Sequence, residues 1–221
     1  MLNAARRAAR GFTLIELLIV VAIIGLTTAL AAPALRTWSA NAQVRSSGSN
    51  IATALRTAQA EAVKSFQPVA FYRTNATTCV GTEPPVATGT RWVVRVVPNT
   101  AITLPGNAIT APAMCGEISE QSAAIQVQGP TAVCFSPSGR PVALTNATPQ
   151  SGGTAACTVP ASGQIVYWVD TTASVNTGSL KRLSVWVQLG GSVRLCDRER
   201  VLSDQMPDGC PAANVSFTPA S

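Results

Sequence analysis

Between Phe12 and Leu35 the chain carries a single charged side chain, Glu16, in a run otherwise made of apolar residues, threonine, glycine and proline. At about 1.5 Å per residue, a helix over this run is roughly 36 Å long, enough to cross a bilayer core of about 30 Å. Arg6, Arg7 and Arg10 precede it and place the N-terminus on the cytoplasmic side. A carboxylate inside such a run costs about 2.5–3.5 kcal/mol at the helix centre and less toward an end. Glu16 therefore calls for a partner. A secretory signal peptide, with Ala29-Leu30-Ala31 as its cleavage site, and a plain membrane anchor are alternative readings. Neither supplies that partner.

The helical pattern continues past the run. Val44, Ile51, Leu55, Ala58, Ala62 and Phe66 draw one stripe on a 3.6-residue helix. Arg45, Arg56, Gln59 and Lys64 lie mostly off it. One helix, apolar over 12–35 and amphipathic over 36–66, is expected to carry a head formed by 67–221. Pro33 should kink or locally open it, with Gly25 a second weak point.

Gly11-Phe12-Thr13-Leu14-Ile15-Glu16 resembles the processing site of type IV prepilins and type II secretion pseudopilins. The resemblance implies that residues 1–11 are a leader, removed by a membrane prepilin peptidase that cuts between Gly11 and Phe12 and methylates the new amine of Phe12. It further implies that Glu16 pairs with the N-terminal amine of a neighbouring subunit during assembly. Two opposite charges meeting in an apolar bundle attract strongly and offset their desolvation.

After Phe66 the period changes to two. Strands are expected at 69–73, 91–97, 124–127, 132–135, 141–144, 164–169, 183–189 and 193–196, with Trp92, Val94 and Val96 on one face. Turn residues separate them at Pro84-Pro85, Pro105-Gly106-Asn107, Pro137-Ser138-Gly139 and Ser151-Gly152-Gly153. Residues 74–90, 98–123 and 145–163 read as loops. The fold class is α+β: a long N-terminal helix packed on an antiparallel sheet or sandwich.

Cys79, Cys115, Cys134, Cys157, Cys196 and Cys210 show no metal-ligand spacing. In an exported chain they suit disulfides; free buried thiols are the alternative. Many connectivities are open. Cys79–Cys115 and Cys134–Cys157 follow from pairing in sequence order, and Cys196–Cys210 closes a short polar loop.

Within the pilin superfamily the GspH/FimT branch is similar. Residues 55–64, Leu-Arg-Thr-Ala-Gln-Ala-Glu-Ala-Val-Lys, resemble its helix ending. Cys134-Phe135-Ser136-Pro137-Ser138-Gly139 resembles its mid-domain turn, and residues 183–187 with 191–196 resemble its closing hairpin. The branch holds secretion pseudopilins and minor pilins of type IV pili. The resemblance implies an inner-membrane protein with a periplasmic head that joins other pilins in a filament. Some members take up DNA through a Gly-Arg-x-Arg motif; here the stretch is Gly191-Ser192-Val193-Arg194, without the first arginine.

That hairpin also invites a register argument. A Gly190-Gly191-Ser192 loop would oppose Leu189 to Val193 and Val187 to Leu195, keeping the apolar face intact. Arg194 would then face outward with Arg182 and Trp186, near Lys181, Arg198 and Arg200. Cations around an aromatic suit nucleic acid, since phosphates take the charge and a base can stack. The bland alternative packs Trp186 under another element and pairs the arginines with Asp197 and Glu199.

The net charge of +6 divides accordingly. Arg6, Arg7 and Arg10 give half, and the five cations of the hairpin region, less Asp197 and Glu199, give the rest. With no histidine in the chain, His-based catalysis and His-ligated metals are excluded. No nucleophile has a recognisable base. Glu117/Glu120 and Asp204/Asp208 look like loop charges, and Gly152-Gly153 lacks the lysine and helix of a phosphate loop. The expectation is a structural subunit with no enzymatic activity and no cofactor.

Overall fold

The structure, a computed structural model, describes residues 12–97, 114–118, 125–144, 157–171 and 180–211. The leader, Gly11, Ala124 and most of the expected loops 98–123 and 145–163 lie outside the described residues.

Helix α1 spans Leu14–Ser65 without a break. Pro33 lies inside it, and the expected local opening there does not interrupt the helix. Proline removes one backbone donor and leaves the neighbouring bonds in place. The buried face begins at Ala40 and includes Val44, Ser47, Gly48, Ile51, Ala52, Ala54, Leu55, Ala58 and Ala62. It is wider than the expected stripe and built largely from small residues, so strands approach closely on both sides. Phe66 is not on it. The helix stops one residue earlier, Phe66 takes a left-handed conformation with φ 53°, and its side chain is 81% exposed. Pro68 forces Gln67 toward extended backbone, which ends the helix.

The described strands are β1 (Val69–Thr74), β2 (Arg91–Val96), β3 (Met114–Glu117), β4 (Ile125–Gln128), β5 (Ala132–Phe135), β6 (Pro141–Val142), β7 (Gln164–Thr171), β8 (Leu183–Gln188), β9 (Val193–Val201) and β10 (Gly209–Cys210). They form two five-stranded sheets, ordered β3-β2-β1-β5-β6 and β10-β9-β8-β7-β4. All pairings are antiparallel except β10 with β9. The inner faces of both sheets meet α1 in one core. Phe71 and Tyr167 join the sheets there through an edge-on contact, with ring centroids 5.9 Å apart.

The outer faces are covered too. Ala70, Tyr72, Val93, Ala132 and Cys134 bury against Cys157 and the segment around Cys115. On the other sheet Val166 and Trp186 bury against Cys196 and Cys210. The six cysteines are joined in sequence order, as Cys79–Cys115, Cys134–Cys157 and Cys196–Cys210. The Cys196–Cys210 bridge ties the edge strand β10 to β9. Strand β1 is buried along its whole length, where simple alternation would leave one face wet.

The β8–β9 hairpin departs from the expected register. Val187 pairs with Val193, Trp186 with Arg194 and Val185 with Leu195. The loop is Leu189-Gly190-Gly191, one residue earlier than expected. Its last position has φ +91°, which Gly191 adopts freely and Ser192 would not.

Candidate assembly helix and basic rim

Thr13 is the N-cap of α1; its hydroxyl accepts from the Glu16 backbone N–H at 3.3 Å. Glu16 thus occupies the third helical position, the acidic place of a capping box, where a carboxylate also meets the positive end of the helix dipole. Phe12 immediately precedes the cap and is 85% exposed. From Leu14 through Trp38 the large apolar side chains stand exposed, Leu14 at 77% and Trp38 at 72%. The best apolar window has a mean hydropathy of 2.5 with none of it buried. The helix is long and apolar enough to cross a membrane. Its hydroxyls are satisfied internally: Thr27 donates to the carbonyls of Ile23 and Ile24, each at 3.0 Å, and Thr28 to Ile24 at 2.9 Å. Such internal pairing is what an apolar medium requires.

Polar side chains of the second half tie the helix to the head. Asn41 Oδ1 accepts from the Lys181 N–H at 2.8 Å, Arg56 donates to Val193 O at 2.9 Å, and Gln59 donates to Gly139 O at 2.8 Å. Sequence reasoning missed these roles. Arg56 and Gln59 were legible only as polar residues one turn apart, beside the buried stripe.

The basic candidates separate. Trp186 is 5% exposed, buried with the Cys196–Cys210 bridge, so no base can stack on it. It is removed from the candidate platform because it packs among Val166, Trp168, Cys196 and Cys210 of the neighbouring strands. Arg198 pairs with Asp170 at 3.2 Å and lies 4.7 Å from the Trp168 ring centroid. Arg200 pairs with Asp208 at 2.8 Å, and Arg200 and Lys181 each stand 4.0 Å from Asp197. The Arg198–Asp170 and Arg200–Asp208 pairs are solvent-accessible and of modest worth, while Asp197 itself is buried. Among the described residues Arg194 reaches only Pro207 O, at 3.4 Å. Among the described residues neither Arg182 nor Arg194 has a carboxylate partner.

Two buried ionisable groups had no sequence signal. Arg73 is 1% exposed and donates to Val127 O at 2.7 Å and Gly129 O at 3.0 Å. Burial pushes its pKa down, and it pushes the Tyr167 hydroxyl up. Glu83 is buried against a turn. Burial alone would raise its pKa, but the N–H groups of Val80, Glu83 and Gly81 and the Thr78 hydroxyl outweigh it and hold the carboxyl below its usual range. Burial, then the Glu83 charge, pushes the Tyr72 hydroxyl up.

Among the described residues no group of three or more His, Cys, Asp or Glu side chains could hold a metal. Glu117 pairs with Arg91 at 2.6 Å, and Glu120 lies outside the described residues.

The prokaryotic N-terminal methylation motif matches residues 6–32. The family described as Type II transport protein GspH matches residues 47–167, from the helix interior through β7. The chain belongs to the GspH family. Among solved structures it is similar to the type IV minor pilin FimU of Pseudomonas aeruginosa (strain PAO1), in two crystal forms. The first shares 12% identity, covers 69% of this chain and 87% of that one, and has a TM-score of 0.42. The second shares 12% identity, covers 68% and 90%, and has a TM-score of 0.40. A likeness this distant carries no functional inference. No curated protein sequence matches the chain. The GspH family and its methylation motif account for an exposed apolar helix joined to a β-rich head.

Proposed function

We propose that this GspH-family chain is a minor pilin or pseudopilin, a structural subunit of a type II secretion pseudopilus or a type IV pilus. It is held in the inner membrane through α1, with its head in the periplasm, until it joins a filament of other pilins. The observation that carries the reading is the exposed apolar half of α1, with one carboxylate in its first turn, running unbroken into the covered half. Prepilin peptidase cuts between Gly11 and Phe12 and methylates the Phe12 amine. Packing of apolar helix halves drives assembly, and Glu16 sets axial register by pairing with a neighbour's N-terminal amine. In the apolar bundle that pairing offsets the desolvation of both groups.

Replacement Glu16→Ala tests this. N-terminal sequencing should still give methyl-Phe12, while incorporation into sheared filaments should fall at least about tenfold, the equivalent of one lost charge-assisted contact. Normal incorporation would remove Glu16 from assembly. A mature terminus near Ala32 would instead establish a cleaved signal peptide.

A further inference from the structure

Resting on the membrane-anchored reading above, we propose that the lower end of β9 and the segment entering β8 form a foot by which the head rests on the anionic lipid surface of the membrane that α1 spans.

The placement follows from four contacts along the helix. Gln59 lies against the loop at Gly191, Arg56 bonds Val193 O, Gly48 faces Leu195 and Leu183, and Asn41 bonds the Lys181 N–H. Strand β9 therefore descends along α1 toward its apolar half, while β8 ascends. The stretch from Leu195 to Val201 covers about 20 Å, the rise of about 13 helical residues. Counted down from Gly48, that brings Val201 level with Leu35 and Arg36, where the apolar run ends.

At this level the surface has the composition of a membrane interface. Val201 and Leu202, at the strand's end, are 65% and 36% exposed, and Trp38 on the helix is 72% exposed. Arg36 and Arg182 are exposed and have no carboxylate partner among the described residues. Lys181 keeps nearly half of its side chain exposed. Apolar tips and a tryptophan enter the headgroup zone, while guanidinium and ammonium groups meet phosphates. Glu199 and Asp204, exposed on the same stretch and the turn after it, offset part of the charge, so apolar contact and cations act together. The Cys196–Cys210 bridge and the Arg200–Asp208 pair hold the foot in shape, which lowers the ordering cost of docking.

The test uses the full chain in nanodiscs of phosphatidylcholine alone, in nanodiscs containing phosphatidylglycerol, and in detergent. Flotation with vesicles reads the α1 anchor separately. Amide exchange over 199–203 should slow about tenfold in the anionic discs. The slowing should be lost in Leu202→Ser and reduced in Arg182→Gln, both exposed positions that leave the core untouched. Equal exchange in all three media, with flotation intact, overturns the foot and leaves the anchor. Failure to float overturns the anchor and the foot with it. Protection of the same amides by duplex DNA in detergent, without protection by anionic discs, overturns the foot in favour of a nucleic-acid surface.

Discussion

The Arg73 guanidinium lies 5.7 Å from the centroid of the Tyr167 ring, although the two residues belong to different sheets. Arg73 is on β1 and Tyr167 on β7. The same guanidinium holds the carbonyls of Val127 and Gly129, where the chain leaves the second sheet to enter the first. One buried cation, without a carboxylate among the described residues, closes this end of the sandwich through carbonyl dipoles and a ring face.

Arg73→Ala should therefore destabilise the head by about 3–5 kcal/mol, since it removes two charge-assisted bonds to part-buried carbonyls together with a buried side chain. Arg73→Met, which fills the space without the charge, should lose less. Chemical denaturation of the detergent-solubilised chain checks both, and an Arg73→Met variant as stable as the parent would show that the hydrogen bonds contribute little.

Glu83 gives the head a pH-dependent element. Its folded pKa is held below the usual carboxylate range, so its contribution is fully present above that range and is lost as pH falls through the depressed folded value. Glu83→Gln should cost about 1–3 kcal/mol near neutrality. The gap to the parent chain should narrow on acidification, as read from denaturation midpoints across the acid limb.

Reduction of the Cys196–Cys210 bridge, whose cysteines are 14 residues apart, should cost about 3 kcal/mol. It should also loosen the packing around Trp186. The paired change Cys196→Ser with Cys210→Ser isolates this bridge, and a red shift of tryptophan emission with a lowered midpoint is the expected result.

Gly191→Ala places a Cβ at φ +91° and into the Gly139 carbonyl and the Gln59 amide. A loss of at least about 1–2 kcal/mol is expected. Gln59 would give up its bond to Gly139, so a more dynamic hairpin tip should appear as faster amide exchange at Ser192 and Val193.

The helix was legible because Val44, Ile51, Leu55, Ala58 and Ala62 repeat at its period over many turns. Strands β1, β2, β5, β7 and β8 were legible from β-branched and aromatic runs. Strand β3 was not: Met114-Cys115-Gly116-Glu117 has no alternation. It pairs with β2 because Cys79 bridges Cys115 and because glycine leaves room for the Trp92 ring against position 116. Strand β10 and the polar end of β9 read as loop for the same reason, since a disulfide and edge pairing recruit them. The hairpin's faces were readable but its register was not. A slip by two residues keeps every side chain on its face and leaves the apolar pattern unchanged. Burial of Trp186 was hidden because a sequence pattern does not show that Val166, Trp168 and a disulfide from neighbouring strands pack around it.

Helix α1 runs for 52 residues without a break, about 78 Å from end to end. Strands β8 and β9 lie lengthwise along its upper part, tied to it through Asn41 and Arg56. Tension applied to the lower end is thus transmitted along the strands, not across them. The hydrogen bonds of the neighbouring strands are loaded together in shear, where peeling would break them one at a time. On the proposed membrane-anchored reading, a pull on the exposed half of α1 is carried along the helix as along a rod, with the head as its stop.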